Sequence, residues 1–210
     1  NGLNSMEYLV QASVAGIVGD PELIPMLGRA NFSMVFLGIE SVLPKNLRLF
    51  QKGDIREKTE QAVALLRRHE IGVMGGFIIG NPDDSAEDVR EIFRAARRLR
   101  IDLLYVQCVT PYPGTRIRAE LLAAGLVTNP DDLSKYTGFI CNVRTRFLTC
   151  RQLNRLMNWE NIKIFFSPAM FKDNYFIRKR EKGTLKVLLN NLDFVRGWFV
   201  GDQFRSRHRF

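Results

Sequence analysis

The chain has 210 residues, 46% hydrophobic and 25% charged, with a formal net charge of +9 at pH 7. That is ample apolar material for a packed core, yet no apolar run reaches the roughly 18–20 residues that cross a bilayer, and Cys108, Cys141 and Cys150 form neither a disulfide framework nor a CxxC metal knuckle. The charge is uneven: residues 1–150 carry 18 Lys+Arg against 17 Asp+Glu and residues 151–210 carry 13 against 5, so the basicity belongs to the last sixty residues.

The N-terminus has no basic flank and no apolar core, so it does not read as a signal peptide. It lacks a starting methionine, which is expected of a piece of a longer chain. Tyr8 to Val14 has the composition of a strand, with Gln11 and Ser13 on one face at period two. Asp20-Pro21-Glu22 predicts a helix start, Asp20 capping and Pro21 in the first helical position. Met34 to Leu37 is a continuous apolar run, the pattern of a strand buried on both faces, and it ends in Gly38-Ile39-Glu40-Ser41. A turn through Pro44 leads to Lys52-Gly53, and Arg56 to Glu70 reads as a helix stopped by Gly72.

Val73 to Ile79 is the next strand, with glycines at 75, 76 and 80. Ser85 with Asp88, or Asp84 with Glu87, makes a capping box for a helix whose apolar stripe runs through Val89, Ile92, Phe93, Ala96 and Leu99. Its arginines lie mostly off that stripe and are expected to be a solvated face. Asp102 to Thr110 is a fourth strand, followed by the turn Pro111-Tyr112-Pro113-Gly114-Thr115 and a helix from Arg116 to Ala124 closed by Gly125.

Strand and helix thus alternate four times, with connections of the length that parallel βαβ units use. The fold class is α/β with four parallel βα units over residues 1–127, which make half of an eight-stranded (β/α) barrel or two thirds of a six-stranded one. Four parallel strands alone leave open edges, so the units are expected to be the later part of something larger. Residues 128–210 read as a basic, mainly helical C-terminal extension. It has a short strand between Tyr136 and Val143, a helix from Thr149 to Trp159, and an amphipathic helix from Lys186 to Val200.

Ligands of parallel α/β sheets and barrels bind at the C-terminal ends of the strands. Glu40 stands at such an end. The glycines of the third strand allow a ligand close to the backbone, because no Cβ intervenes, or they merely bend the strand. They are spaced G-G-x-x-x-G with no helix opening on them, so they are not a dinucleotide fingerprint, and neither a Walker A loop nor a GxSxG elbow is present. His69 falls at a helix C-terminus, where a dipole or packing role is expected.

Four stretches together resemble the radical SAM superfamily, in its cobalamin-binding branch: Asp20-Pro21-Glu22-Leu23 with Phe32, Gly38-Ile39-Glu40-Ser41 with Lys52, Gly76-Phe77-Ile78-Ile79-Gly80, and Thr110-Pro111-Tyr112-Pro113-Gly114-Thr115. That branch includes enzymes of hopanoid and tetrapyrrole modification. The resemblance implies a partial (β/α)6 barrel, of which these would be the third to sixth units. It implies a [4Fe-4S] cluster that cleaves S-adenosylmethionine to a 5′-deoxyadenosyl radical, with cobalamin as a further cofactor, acting on a lipid or tetrapyrrole-like substrate. Glu40 resembles the residue that meets the ribose, and Lys52 the one that pairs with the methionine carboxylate. Gly76, Phe77, Ile78 and Gly80 resemble the motif whose backbone lies against the adenine, and Gln11 and Ser13 match positions that reach the methionyl group.

The family's CxxxCxxC cluster motif is absent, and none of the three cysteines replaces it; thiolates are what hold such clusters. This chain alone is therefore expected to hold no metal and to leave S-adenosylmethionine intact, the cluster ligands belonging to a missing N-terminal barrel half. A cytoplasmic setting is expected, with the basic C-terminus in peripheral contact with an anionic membrane; nucleic acid is the less favoured partner. Two other readings are a basic scaffold module and a barrel enzyme for a phosphate-bearing substrate held near Gly76 and Gly80.

Overall fold

The computed structural model describes residues 6–168. Its framework is a sheet of four strands in the order β1-β2-β3-β4: β1 (Tyr8–Ser13), β2 (Phe32–Glu40), β3 (Gly72–Ile79) and β4 (Leu103–Cys108). Every neighbouring pair is parallel, so each connection must return the chain along the sheet, and helices do so. α1 (Val14–Gly19) and α2 (Leu23–Arg29) join β1 to β2. α3 (Pro44–Leu49) and α4 (Arg56–Arg68) join β2 to β3, and α5 (Ala86–Arg98) joins β3 to β4. α6 (Arg116–Ala123) and α7 (Cys150–Phe165) follow.

The two faces of the sheet differ. Val35, Leu37 and Ile39 of β2 and Val73, Phe77 and Ile79 of β3 are buried in one core with Val63, Leu66, Val89, Ile92 and Phe93 of the helices. Each such side chain contributes roughly 1.5–3 kcal/mol of burial. The opposite face carries Leu9, Gln11, Ser13, Phe36, Met74, Tyr105 and Gln107, all exposed or half-buried. Burial on both faces, expected for Met34 to Leu37, therefore fails at Phe36, which stands on the open side. Parallel sheets are normally covered on both sides; a sheet covered on one side only is the geometry of a barrel wall whose inner surface looks onto the lumen.

Helix ends depart from the sequence rules in an instructive way. α4 stops at Arg68, and Gly72 begins β3 instead of closing the helix. The closure is made at Glu70, with φ 57: its N–H bonds the Arg67 carbonyl and the Ile71 N–H bonds Leu66, a Schellman motif. Gln51 after α3 and Arg100 after α5 repeat it. Asp20 closes the six-residue α1, and α2 begins only at Leu23 with no side-chain cap. The Pro44 turn is itself a helix, with the proline in its first turn, where the missing N–H costs nothing. Between Tyr136 and Val143 there is only an isolated bridge, Val127 to Val143; the buried Asn142 amide serves the carbonyls of Lys135 and Ile140 in place of a ladder.

α7 opens with a capping box, Thr149 with Gln152, and sends Leu153 and Met157 into the same core as the sheet. The α5 arginines are tied to carboxylates: Arg94 to Glu87 and Glu91, Arg98 to Glu91, Arg97 to Glu160. The expected helix from Lys186 to Val200 lies outside the described residues.

Candidate functional site

β2 ends in a bulge. Gly38 pairs with Gly76 but Glu40 with Phe77, so Ile39 is the extra residue and the strand bends there. Glu40 has φ 63, and the Ser41 N–H bonds the Ile39 carbonyl at 2.8 Å. This is a three-residue turn with positive φ at its centre, a rare and strained form. The other non-glycine residues of positive φ, Asn31, Gln51, Glu70 and Arg100, all follow helix ends, where such φ is ordinary. Glu40 does not, and holding it there costs about 1–3 kcal/mol, a strain that gathers at functional sites.

The turn folds the Glu40 carboxylate back over the strand. Lys52 Nζ donates to Glu40 Oε1 at 3.2 Å and to the Gly38 carbonyl at 3.0 Å. A Cβ on Gly38 would stand 3.0 Å from Glu40 Oε1, so glycine there leaves the carboxylate its room. Lys52 is delivered by the Schellman closure of α3, its own N–H bonding the carbonyl of buried Leu47 at 2.8 Å. The two side chains are 28% and 32% exposed, so the pair contributes about 1 kcal/mol at most. An ammonium has three donors; two are engaged here, which leaves capacity for a further acceptor.

Ser13, Gly38, Gly76 and Tyr105 form one lateral rung across the sheet, and Gln11 lies on the next with Phe36, Met74 and Leu103. Neighbouring strands are about 4.8 Å apart, so Ser13, Gly38 and Gly76 span roughly 10 Å of the open face. Ser13 Oγ accepts the Gly16 N–H at 3.0 Å and so caps α1; Gln11 is exposed. Phe77 is not part of this surface: its side chain is buried on the helix side.

The glycine positions of β3 are already filled. A Cβ on Gly76 would stand 2.7 Å from Phe36 Cζ, and one on Gly80 2.5 Å from Leu153 Cδ2. The Phe36 ring and α7 take the space that the sequence leaves vacant. The residue of this strand that lines open space is Ile78. It lines a cavity of about 180 Å³ with Phe50, Gln107, Thr110 and Tyr112, at the C-terminal ends of β3 and β4. Phe50 is two residues before Lys52, so the end of α3 serves both the cavity and the ion pair. Gln107 Nε2 donates to Tyr105 Oη at 3.3 Å, and Tyr105 meets Phe36 and Phe139 edge-on. Sequence reasoning did not single out Tyr105 or Gln107; period two within Leu103–Cys108 carries the signal.

The turn after β3 is built on Asp84, which is fully buried. Its Oδ2 accepts from the Gly80 and Asn81 N–H groups, each at 3.0 Å, and from Asn81 Nδ2 at 3.3 Å; its Oδ1 accepts from Asn46 Nδ2 at 2.9 Å. Burial pushes the Asp84 carboxyl above its ordinary range, against the N–H donors that pull it down. Of the two capping boxes that the sequence allows, Ser85 with Asp88 forms, and Asp84 is left to the turn.

Cys108, Cys141 and Cys150 are free thiols. The neighbouring Cys108 thiol pushes Cys141 up to about 12, and Cys141 in turn raises Cys150. Metal ligation needs thiolates. Among the described residues no group of three or more His, Cys, Asp or Glu can hold a metal ion. These residues do not fit an iron–sulfur cluster.

No protein-family model matches the chain. Its fold, however, is that of part of a radical SAM barrel. The chain is similar to the radical S-adenosylmethionine methyltransferase TsrM of Kitasatospora setae, solved with cobalamin and a [4Fe-4S] cluster, with TM-score 0.52 and 20% identity over 75% of this chain and 31% of that one. In sequence it is similar to an uncharacterised methyltransferase of Pyrococcus horikoshii, 31% identical over 159 residues, which are 73% of this chain and 34% of that protein. It is also similar to the bacteriochlorophyllide d C-8(2)-methyltransferase of Chlorobaculum tepidum, 29% identical over 119 residues, 56% of this chain and 26% of that protein. These similarities fit the resemblance to a radical SAM fragment. The chain spans about a third or less of the length of these curated relatives.

Proposed function

We propose that this chain is the nucleotide-gripping part of a radical SAM methyltransferase, binding S-adenosylmethionine at the C-terminal mouth of β2, β3 and β4. The observation that carries this reading is the Glu40–Lys52 pair, held by a strained turn at the end of a parallel strand. Glu40 accepts from the ribose hydroxyls, a charge-assisted bond. Lys52 uses its remaining donor on the methionine carboxylate. Ile78 and the cavity beside it take the adenine, while Gln11 and Ser13 face the methionyl end from β1. The ion pair is weak enough for a ligand to rearrange.

The relative that methylates bacteriochlorophyllide d supports a tetrapyrrole-like substrate and methyl transfer. A [4Fe-4S] cluster and cobalamin belong to this reading as cofactors of the whole enzyme, held by polypeptide other than the described residues. A cytoplasmic enzyme in peripheral contact with an anionic membrane through its basic last sixty residues is part of the same proposal; among the described residues no helix is long and apolar enough to cross a membrane.

Equilibrium binding of S-adenosylhomocysteine, with inorganic pyrophosphate as the ribose-free phosphate control, tests the reading. Glu40→Ala is expected to weaken S-adenosylhomocysteine about 10–100-fold, the loss of a hydrogen bond to a charged group, and to leave pyrophosphate unaffected. Equal affinity of variant and parent for S-adenosylhomocysteine would overturn it.

A further inference from the structure

α3 and the turn after β3 belong to different βα units, yet one side chain joins them. We infer that Asp84 is a positioning residue that locks the end of β2 and the end of β3 into a single unit, so that the Glu40–Lys52 grip and the Ile78 wall face one ligand together. The inference rests on the nucleotide reading above.

Three N–H groups of Gly80 and Asn81 converge on Asp84 Oδ2, so the shape of the β3 turn depends on that oxygen. Asp84 Oδ1 takes the amide of Asn46, itself buried in α3. Asn46 precedes Leu47, whose carbonyl holds the Lys52 N–H, and Lys52 holds Glu40. A continuous line of hydrogen bonds and one peptide link therefore runs from Gly80 to Glu40. Lys45 adds a second tie, donating to the Asp83 carbonyl and to Asp88 Oδ2, both at 2.7 Å, and standing 3.9 Å from Asp84.

The donor set suits a carboxylate. All four groups bonded to the Asp84 side chain are N–H donors, and an ionised carboxylate only accepts. An asparagine keeps one accepting oxygen, so it holds both arms only if the Asn46 amide turns over. Helix capping does not account for the residue, because Ser85 and Asp88 already cap α5. A buried carboxylate is costly to keep, and its return here is geometric: it fixes two ligand-facing segments that no sheet pairing holds beyond the strand ends. Preorganisation of this kind is what a supporting residue supplies to a binding site.

Hydrogen exchange on the whole chain, with S-adenosylhomocysteine affinity measured in parallel, tests the inference. Asn46→Ala cuts only the α3 arm and leaves the Gly80–Asn81 turn its own bonds; Asp84→Ala cuts both. Asn46→Ala is expected to speed exchange at least 10-fold in amides 40–54 and also in amides 78–84, and to weaken S-adenosylhomocysteine about 10-fold. Faster exchange confined to amides 44–50 would overturn the inference, as would unchanged affinity in a variant whose exchange rises in both segments. Should the parent chain bind no S-adenosylhomocysteine, the nucleotide reading fails, and the coupling is judged by the exchange pattern alone. If Asp84→Ala does not fold, Asn46→Ala still decides.

Discussion

Replacing Gly80 by alanine is the sharpest test of how the strand ends are assembled. Gly80 has φ +80, and a Cβ there would lie 2.5 Å from Leu153 Cδ2. A left-handed alanine costs about 1–2 kcal/mol more than glycine. The overlap adds roughly 1–3 kcal/mol of overpacking, because Leu153 is fully buried and has no solvent to swing into. Gly80→Ala is therefore expected to destabilise by about 2–5 kcal/mol, a fall in Tm of roughly 4–20 °C for a chain of this size. Leu153→Ala alone leaves a cavity and costs about 2–5 kcal/mol. In that background the overlap is gone, so Gly80→Ala should cost only its backbone share, about 1–2 kcal/mol. Urea unfolding of the four proteins, followed by circular dichroism, closes the cycle. An equal cost of Gly80→Ala in both backgrounds would mean that α7 is not seated over the end of β3. A cost below about 1 kcal/mol in the parent would mean that the turn is not left-handed.

Two further outcomes follow from titrating groups. Arg98 and Arg94 hold the Glu91 carboxyl below its ordinary 4.5. The unfolded chain then takes the proton first, so the pair's stabilisation is present above pH 4.5 and is lost as pH falls through the folded value. Glu91→Gln should flatten the acid limb of a Tm–pH curve, and an unchanged slope would show that the α5 ladder contributes nothing. The Cys141 thiol, pushed up to about 12 by its neighbour Cys108, should resist iodoacetamide at pH 8 in the folded chain and react only after unfolding. Fast labelling of the folded chain, located by peptide mapping at Cys141, would refute the burial of that thiol.

Local pattern carried the strands. Apolar runs bounded by turn residues place four of them within about three residues of their observed ends, and parallel pairing follows from the helices between. Helix ends were harder to read. Glu70, Gln51 and Arg100 close their helices in the left-handed region, and no side-chain type marks them, because the next residue's bond to an earlier carbonyl makes the closure. Helix α1, six residues with two glycines, is held by the Ser13 cap and by the burial of Val14 and Ile17, a helical spacing too short to stand out in the sequence.

The site divides along the same line. Composition and order of residues determined that Glu40 stands at a strand end, that glycines recur in β3, and that the chain resembles radical SAM proteins. Twelve residues of separation say nothing about whether Lys52 meets Glu40. That was decided by a bulge at Ile39, a strained turn and a Schellman closure acting together. A glycine in a sequence announces only a missing Cβ. Whether ligand, ring or helix fills the space depends on what packs there, and here Phe36 and Leu153 do. Asp84 could have capped a helix by its position; only the convergence of four N–H groups from two units gives it another role. Hydrophobic period and turn chemistry are local and survive in a linear string, whereas contacts between distant segments exist only once the chain has folded.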